Sequence, residues 1–256
     1  MPANDGTFYR APAARPHALV AMPGTGSDAD FISRAFGPAC TDLGIELIAL
    51  DPTDDLIDGH RQRLTEVAAQ YRHILVGGVS IGAALAVEWA LGNSARCDGV
   101  WAALPAWSGP ATDALAAASA AATAALLRAD GLAPSIQSMR SSSPAWLADE
   151  LERSWSALHP GLVSQLEQAA RYCAPELDAI ADLGAPLGLV AAPDDPLHPL
   201  DVAASWAAAA PRAQLIQVTL NEWGHHPELL GRACASAWEA ASAQAVIPPS
   251  GHLTDQ

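Results

Sequence analysis

The chain has 256 residues, half of them hydrophobic, and a formal net charge of -15. This length can bury one large core, and the acidic excess argues against nucleic acid or an anionic membrane surface as a partner. All 13 basic residues are arginine, which excludes a phosphate-loop lysine, a Schiff-base lysine and a serine–lysine dyad.

Cysteine usage and the first residues bear on the compartment. The four cysteines lie far apart and form no CxxC pair, which favours buried free thiols over a metal site or a disulfide framework. They are Cys40, Cys97, Cys173 and Cys234. Residues 1–15 contain no apolar core of the signal-peptide kind, and no hydrophobic run is long enough to cross a bilayer. We therefore expect a cytoplasmic location.

Strand and helix patterns alternate through the first 104 residues. Aliphatic runs predict strands at residues 17–22, 44–50, 74–79 and 98–104. Amphipathic segments predict helices at about residues 28–42 and 59–71, and a third helix directly after Ser80. Strands separated by helices indicate an α/β protein with a parallel sheet and helices on both faces.

Residues 105–183 interrupt this alternation. They carry helical patterns at about 113–130, 144–158 and 160–174 and no strand pattern, which indicates an insertion. The alternation resumes with strands at 186–192 and 213–220 and helices at 201–210 and 227–243, and residues 248–256 are expected to be loose. The predicted organisation is a core of residues 1–104 and 184–256 with a helical insertion over residues 105–183.

Ser80 is the strongest candidate for a functional residue. It lies in Gly78-Val79-Ser80-Ile81-Gly82, between a β-rich run and an alanine-rich helical pattern. In the G-x-S-x-G motif the serine occupies a strained turn between strand and helix, so its hydroxyl is exposed. The pattern therefore predicts a nucleophile.

A serine nucleophile needs an imidazole to accept its proton and a carboxylate to orient that imidazole. In open α/β sheets such groups lie in loops that follow the carboxyl ends of strands. Two such loops contain acidic and histidine residues. The candidates are Asp194, Asp195 and His198 in residues 193–199, and His225 and His226 in residues 221–227.

In these motifs the chain resembles the α/β-hydrolase family, and the resemblance extends over about residues 17–243. The segment 78–82 resembles the family's nucleophile elbow, residues 195–199 its acid loop, and Gly224-His225 its histidine loop. The resemblance implies a triad of Ser80, Asp195 and His225. Asp194 and His226 are the adjacent alternatives, and His198 is interpreted as a loop histidine because it precedes the last strand.

The resemblance also implies an oxyanion hole. The family has an HG dipeptide after an early strand, whereas this chain has Pro23-Gly24-Thr25 there. Since the donor is a backbone amide, Thr25 is expected to supply one N–H and Ile81, after the nucleophile, the other. The insertion is expected to cap the site, with Trp107 and Trp146 binding the substrate.

The resemblance implies a cofactor-free serine hydrolase, without a metal, that cleaves a small-molecule ester of small or medium acyl chain. Thioesterase, amidase or peptidase, carbon–carbon hydrolase and cofactor-free haloperoxidase chemistry remain alternatives within the same family. A hydrolase-like binding protein that holds a small molecule without turnover is the alternative of a different class.

Overall fold

The computed structural model describes residues 18–244. Six strands form one sheet in this part of the chain, and every neighbouring pair is parallel, in the order β2-β1-β3-β4-β5-β6. They are β1 (Ala18–Met22), β2 (Glu46–Ala49), β3 (Ile74–Val79), β4 (Cys97–Ala103), β5 (Leu187–Ala191) and β6 (Ala213–Gln217). The predicted parallel α/β class is confirmed.

Helices connect the strands and cover the sheet. Those between core strands or after them are α1 (Ala29–Leu43), α2 (Leu56–Ala68), α3 (Ile81–Gly92), α9 (Leu200–Ala209), α10 (Leu220–His225) and α11 (Glu228–Ser242). Those between β4 and β5 are α4 (Leu115–Asp130), α5 (Leu132–Ser142), α6 (Ala145–Leu158), α7 (Leu162–Ala169) and α8 (Leu177–Ile180).

The core is divided by the sheet into two apolar layers. Helices α2, α3 and α9 cover one face, and α1 and α11 cover the other. A third, smaller cluster lies inside the helical insertion and joins α4, α6 and α7 around Leu127, Trp155 and Leu166. The insertion therefore has apolar packing of its own in addition to its contacts with the core.

The strand order reverses between β1 and β3. The chain goes from β1 outward to β2 and then returns to the other side of β1 with β3. In open parallel sheets such a reversal opens a crevice at the carboxyl ends of the strands. Here the loop after β1 and the turn after β3 border that crevice, and they contain Thr25 and Ser80.

Several boundaries differ from the sequence prediction. Between the predicted helices at 113–130 and 144–158 the structure has a further helix, α5, and the predicted strand at 213–220 ends at Gln217 because Thr219 caps the start of α10. All four cysteines are free as expected, but Cys173 is exposed rather than buried. His17, the predicted loose tail at 248–256 and the N-terminal residues 1–15 lie outside the described residues.

No helix among residues 18–244 combines the length and apolar character needed to cross a membrane.

Candidate active site

Ser80 occupies a sharp turn between β3 and α3. Its backbone has φ 55° and ψ -116°, a region that side-chain-bearing residues rarely adopt. Its N–H donates to the Ala103 carbonyl at 2.9 Å, which ties the turn to β4. A Cβ atom on Gly78 would lie 2.5 Å from the backbone carbonyl carbon of Gly82 in α3, so the helix approaches the sheet this closely only with glycine there.

The Ser80 hydroxyl is hydrogen bonded to an imidazole. His198 Nε2 lies 3.0 Å from Ser80 Oγ, and His198 Nδ1 lies 2.8 Å from Asp195 Oδ2. A carboxylate can only accept, so Nδ1 donates to Asp195 and Nε2 is left to accept from Ser80. The Ser80 hydroxyl, the His198 imidazole and the Asp195 carboxylate thus form one chain of hydrogen bonds.

Residues 195–198 explain why the acid and the imidazole can lie so close in sequence. Asp195 Oδ1 accepts from the backbone N–H of Leu197 at 2.9 Å and of His198 at 3.3 Å. Aspartate side chains favour such bonds to the backbone two or three residues on, and they bend the chain. The bend brings the His198 ring back beside the carboxylate.

Asp195 is buried, with 8% of its surface exposed. Burial alone would raise the pKa of Asp195. The hydrogen bonds from the His198 ring and from two backbone amides lower it by more, so the pKa lies below its ordinary value. The group is therefore a carboxylate at neutral pH, as is needed to stabilise a neighbouring imidazolium.

His225 does not lie beside Ser80, as the sequence predicted, and His198 occupies that position instead. Residues 220–225 fold as α10, which a capping box of Thr219 and Glu222 starts. At the end of this helix the His225 side chain is exposed, and its ring centroid lies 6.4 Å from that of Trp146 in α6. The helix directs His225 toward the insertion.

The alternatives Asp194 and His226 have other partners. Asp194 Oδ1 accepts from the Leu220 N–H at 2.7 Å, which holds the start of α10. His226 is exposed, with Nδ1 3.5 Å from the Glu228 carboxylate. Of the two adjacent aspartates, Asp195 is the one hydrogen bonded to the imidazole beside Ser80, although the sequence paired it with His225.

The backbone amides expected to hold an oxyanion border Ser80. Thr25 lines the same cavity as Ser80, and a Cβ atom on Gly24 would lie 3.5 Å from Ser80 Cβ. Ile81 is the first residue of α3, where amides have no partner within the helix. Neither the Thr25 nor the Ile81 N–H donates to another described residue.

A cavity of about 440 Å³ opens onto Ser80 and His198. It lies between the carboxyl edge of the sheet and the helical insertion, and its walls are largely aromatic and aliphatic. Its tryptophans are Trp107, Trp146, Trp155 and Trp223. Trp107 and Trp146, which were expected to bind a substrate, thus line the cavity that contains Ser80, and Trp155 and Trp223 line it as well.

His198 is the main residue that sequence reasoning rejected. Its signal was present, since Asp-Pro-Leu-His places an imidazole three residues after a turn-forming aspartate at the end of a strand. Leu104, at the end of β4, was also missed; it has a φ of 53° and lines the cavity with Ser80.

One acidic cluster among the described residues has carboxylates close enough to share a cation. Asp28, Asp30 and Glu150 lie within 4.8 Å of one another. Arg34 and Arg153 already form ion pairs with these groups at 2.6 to 3.5 Å. The arginines compensate the negative charge, so the cluster is an ion-pair network at the edge of the insertion.

The chain resembles known proteins in its fold but has little sequence similarity to them. No family model and no curated protein matches the chain. A thermophilic esterase from Thermogutta terrifontis matches with a TM-score of 0.66 and 15% sequence identity over 89% of this chain and 90% of that chain. A hydrolase from Pseudomonas aeruginosa matches with a TM-score of 0.65 and 19% identity, covering 88% and 90%.

The enol-lactonase from Burkholderia xenovorans also matches, with a TM-score of 0.62 and 13% identity over 80% of this chain and 84% of that chain. Such neighbours are α/β-hydrolases. The expected α/β-hydrolase fold, with a helical insertion, is confirmed by this likeness.

Proposed function

We propose that the protein is a serine hydrolase that cleaves carboxylic esters of small or medium acyl chain. The observation that carries the proposal is the chain from Ser80 Oγ through His198 to Asp195, with distances of 3.0 Å and 2.8 Å, at the mouth of an apolar cavity. Such a chain activates a serine hydroxyl, which is otherwise a weak nucleophile.

Acylation begins when Ser80 Oγ attacks the ester carbonyl carbon while His198 Nε2 takes the hydroxyl proton. The carbonyl oxygen becomes an oxyanion, and the amides of Thr25 and Ile81 donate to it. The Asp195 carboxylate stabilises the imidazolium. Collapse of the intermediate breaks the bond to the alkoxy group, which leaves as the alcohol with the proton from His198.

Deacylation repeats these steps with water. His198 takes a proton from the water as its oxygen attacks the acyl carbon, and the same amides hold the second oxyanion. The bond to Ser80 Oγ then breaks, and the proton returns from His198 to the serine. The products are a carboxylic acid and the free enzyme.

The substrate class is argued from the cavity walls. The aromatic and aliphatic lining favours an apolar acyl group, because each buried methylene contributes about 0.8 kcal/mol. The fold likeness to an esterase and to an enol-lactonase supports the same choice, since a lactone is a cyclic ester. The cavity volume of about 440 Å³ is in the range typical of small-molecule sites, which favours a small molecule.

Labelling with a fluorophosphonate probe and hydrolysis of p-nitrophenyl butyrate test the proposal together. The wild-type protein should be labelled and active, and Ser80→Ala should lose labelling and at least about 10³-fold in kcat. Ser119→Ala is the matched control, because Ser119 lines the same cavity but is bonded to no imidazole within residues 18–244. A folded Ser80→Ala protein with wild-type turnover would contradict the proposal.

A further inference from the structure

Three consecutive residues of α6 contact the loop that carries Thr25. The β1–α1 loop, residues 23–28, receives a hydrogen bond from Ser154 Oγ to the Gly26 carbonyl at 2.7 Å. Arg153 donates two hydrogen bonds to the Asp28 carboxylate, at 2.7 and 2.9 Å. Trp155 covers Gly26 from the same helix.

The loop turns at a left-handed glycine that packs against α6. Gly26 has a φ of 77°, which favours glycine, and a Cβ atom there would lie 2.9 Å from Trp155 Nε1. Inside the loop the Ser27 N–H donates to the Gly24 carbonyl at 3.1 Å. Ser154 itself is fully buried, so its bond to Gly26 is shielded from water.

Asp28 connects this loop to the core. Its carboxylate accepts from the Phe31 N–H at 3.2 Å and so caps α1, while the same group pairs with Arg153. Burial acts to raise the pKa of Asp28, but Arg153 and the α1 amides outweigh it, so the pKa lies below its ordinary value. The carboxylate is therefore charged at neutral pH, and a buried charge that loses its partner is strongly destabilised.

We propose that Arg153 and Ser154 are positioning residues that hold the Thr25 amide at the oxyanion site from the helical insertion. The inference rests on the proposed function, and extends it, because it makes α6 part of the support of the catalytic site as well as a wall of the cavity. Displacing α6 would loosen the β1–α1 loop and lower transition-state stabilisation more than substrate binding.

Arg153→Met and Ser154→Ala test this proposal, with Arg128→Met as the matched control. Arg128 also makes a paired contact to a carboxylate, Glu167, at 2.6 and 3.0 Å, but it joins α4 to α7 and does not touch the loop. On p-nitrophenyl butyrate we expect kcat to fall about 10- to 100-fold in the two loop variants, with KM changed less than about threefold. Arg153→Lys, which keeps the charge, should be intermediate.

Hydrogen–deuterium exchange over residues 23–28 supplies a readout that does not depend on activity. Exchange should be faster in Arg153→Met and Ser154→Ala and unchanged in Arg128→Met. If Arg153→Met and Ser154→Ala keep both the wild-type exchange rate over residues 23–28 and the wild-type kcat, the proposal is overturned. It is also overturned if these variants lose activity only through a higher KM. If the wild-type protein shows no Ser80-dependent hydrolysis, the proposed function fails, and exchange alone decides whether α6 holds the loop.

Discussion

At the scale of single residues, alanine substitution separates the roles of the two histidines. His198→Ala removes the imidazole that lies 3.0 Å from Ser80 Oγ, so kcat for p-nitrophenyl butyrate should fall at least about 10³-fold. His225→Ala removes an exposed ring beside Trp146 and should lower kcat less than about threefold. If folded His225→Ala lost most of its kcat while folded His198→Ala kept it, the general base would be His225.

The sequence patterns singled out Ser80 and Asp195 but not His198, the imidazole that is hydrogen bonded to both. Ser80 and Asp195 are marked by local patterns, a glycine-flanked turn and an aspartate before proline. The choice between His198 and His225 depends on backbone direction, because both follow strands at the same edge of the sheet. The T-x-x-E pattern of Thr219 and Glu222 predicts a helix start, and that capped helix is what turns His225 away.

His60 gives a prediction about pH and stability. It lies 1% exposed within the apolar stripe of α2, and neither ring nitrogen bonds to another described residue. Burial lowers the pKa of His60 to about 4. The positive charge of Arg63 also lowers this pKa, and the negative charge of Asp51 opposes the change with a smaller effect. In the unfolded chain the ring protonates near pH 6.5, so stability falls as the pH drops from about 6.5 to about 4.

Denaturant unfolding of wild type and His60→Leu between pH 8 and pH 4 measures this effect. The wild type should lose about 3 kcal/mol more over this range than the variant. Equal pH dependence in His60→Leu and wild type would show that the buried ring does not cause the loss.

At the scale of elements, α10 is a docking surface for α6. The rings of Trp146 and Trp223 are edge-to-face with centroids 5.2 Å apart, and Trp146 lies directly against Gly224. Any side chain at Gly224 would collide with the indole. Gly224→Ala should therefore lower the free energy of unfolding by about 1 to 3 kcal/mol.

Gly92→Ala is the matched control for this substitution. Gly92 lies in the last turn of α3 with nothing within 4 Å of an added Cβ, so alanine there should be neutral or slightly stabilising. In a Trp146→Ala background the cost of Gly224→Ala should largely disappear, because the colliding ring is gone. If Gly224→Ala lowers the free energy of unfolding equally in the Trp146→Ala background, the loss comes from α10 itself and not from contact with Trp146.

The order of elements was predictable because periodicity marks each strand and each long helix. The strand runs at 74–79 and 98–104 are continuous and apolar, as buried parallel strands require, and they are nearly unchanged in the structure. Short elements were not predictable. The six residues of α10 contain too few apolar positions for a period to emerge, and α5 exposes most of its surface.

At the scale of the whole molecule, the cavity could be predicted only in outline. The sequence placed the insertion between β4 and β5, so both of its ends emerge near Ser80. The packing of α4, α6 and α7 against one another determines which side chains of the insertion line the cavity. No local sequence pattern encodes that packing. Trp155 illustrates this, since it belongs to the apolar cluster of the insertion, covers Gly26 and lines the cavity.

The cavity leads to a prediction about acyl-chain length. Trp107 forms one wall, and its indole N–H donates to the Tyr172 carbonyl at 3.3 Å, which fixes the ring between the two ends of the insertion. Each methylene that enters should raise kcat/KM by about fourfold, from about 0.8 kcal/mol per group. Once the cavity is full, further carbons meet a fixed wall and kcat/KM should fall.

Hydrolysis of p-nitrophenyl esters from acetate to dodecanoate measures this profile. The wild type should show an optimum at a small or medium chain, and Trp107→Phe and Trp146→Phe should each move it toward longer chains, since a smaller ring leaves more room. Trp238→Phe is the matched control, because Trp238 packs against Trp101 outside the cavity and should leave the optimum in place. A profile still rising at dodecanoate, or an optimum indifferent to Trp107 and Trp146, would mean that another part of the molecule sets acyl specificity.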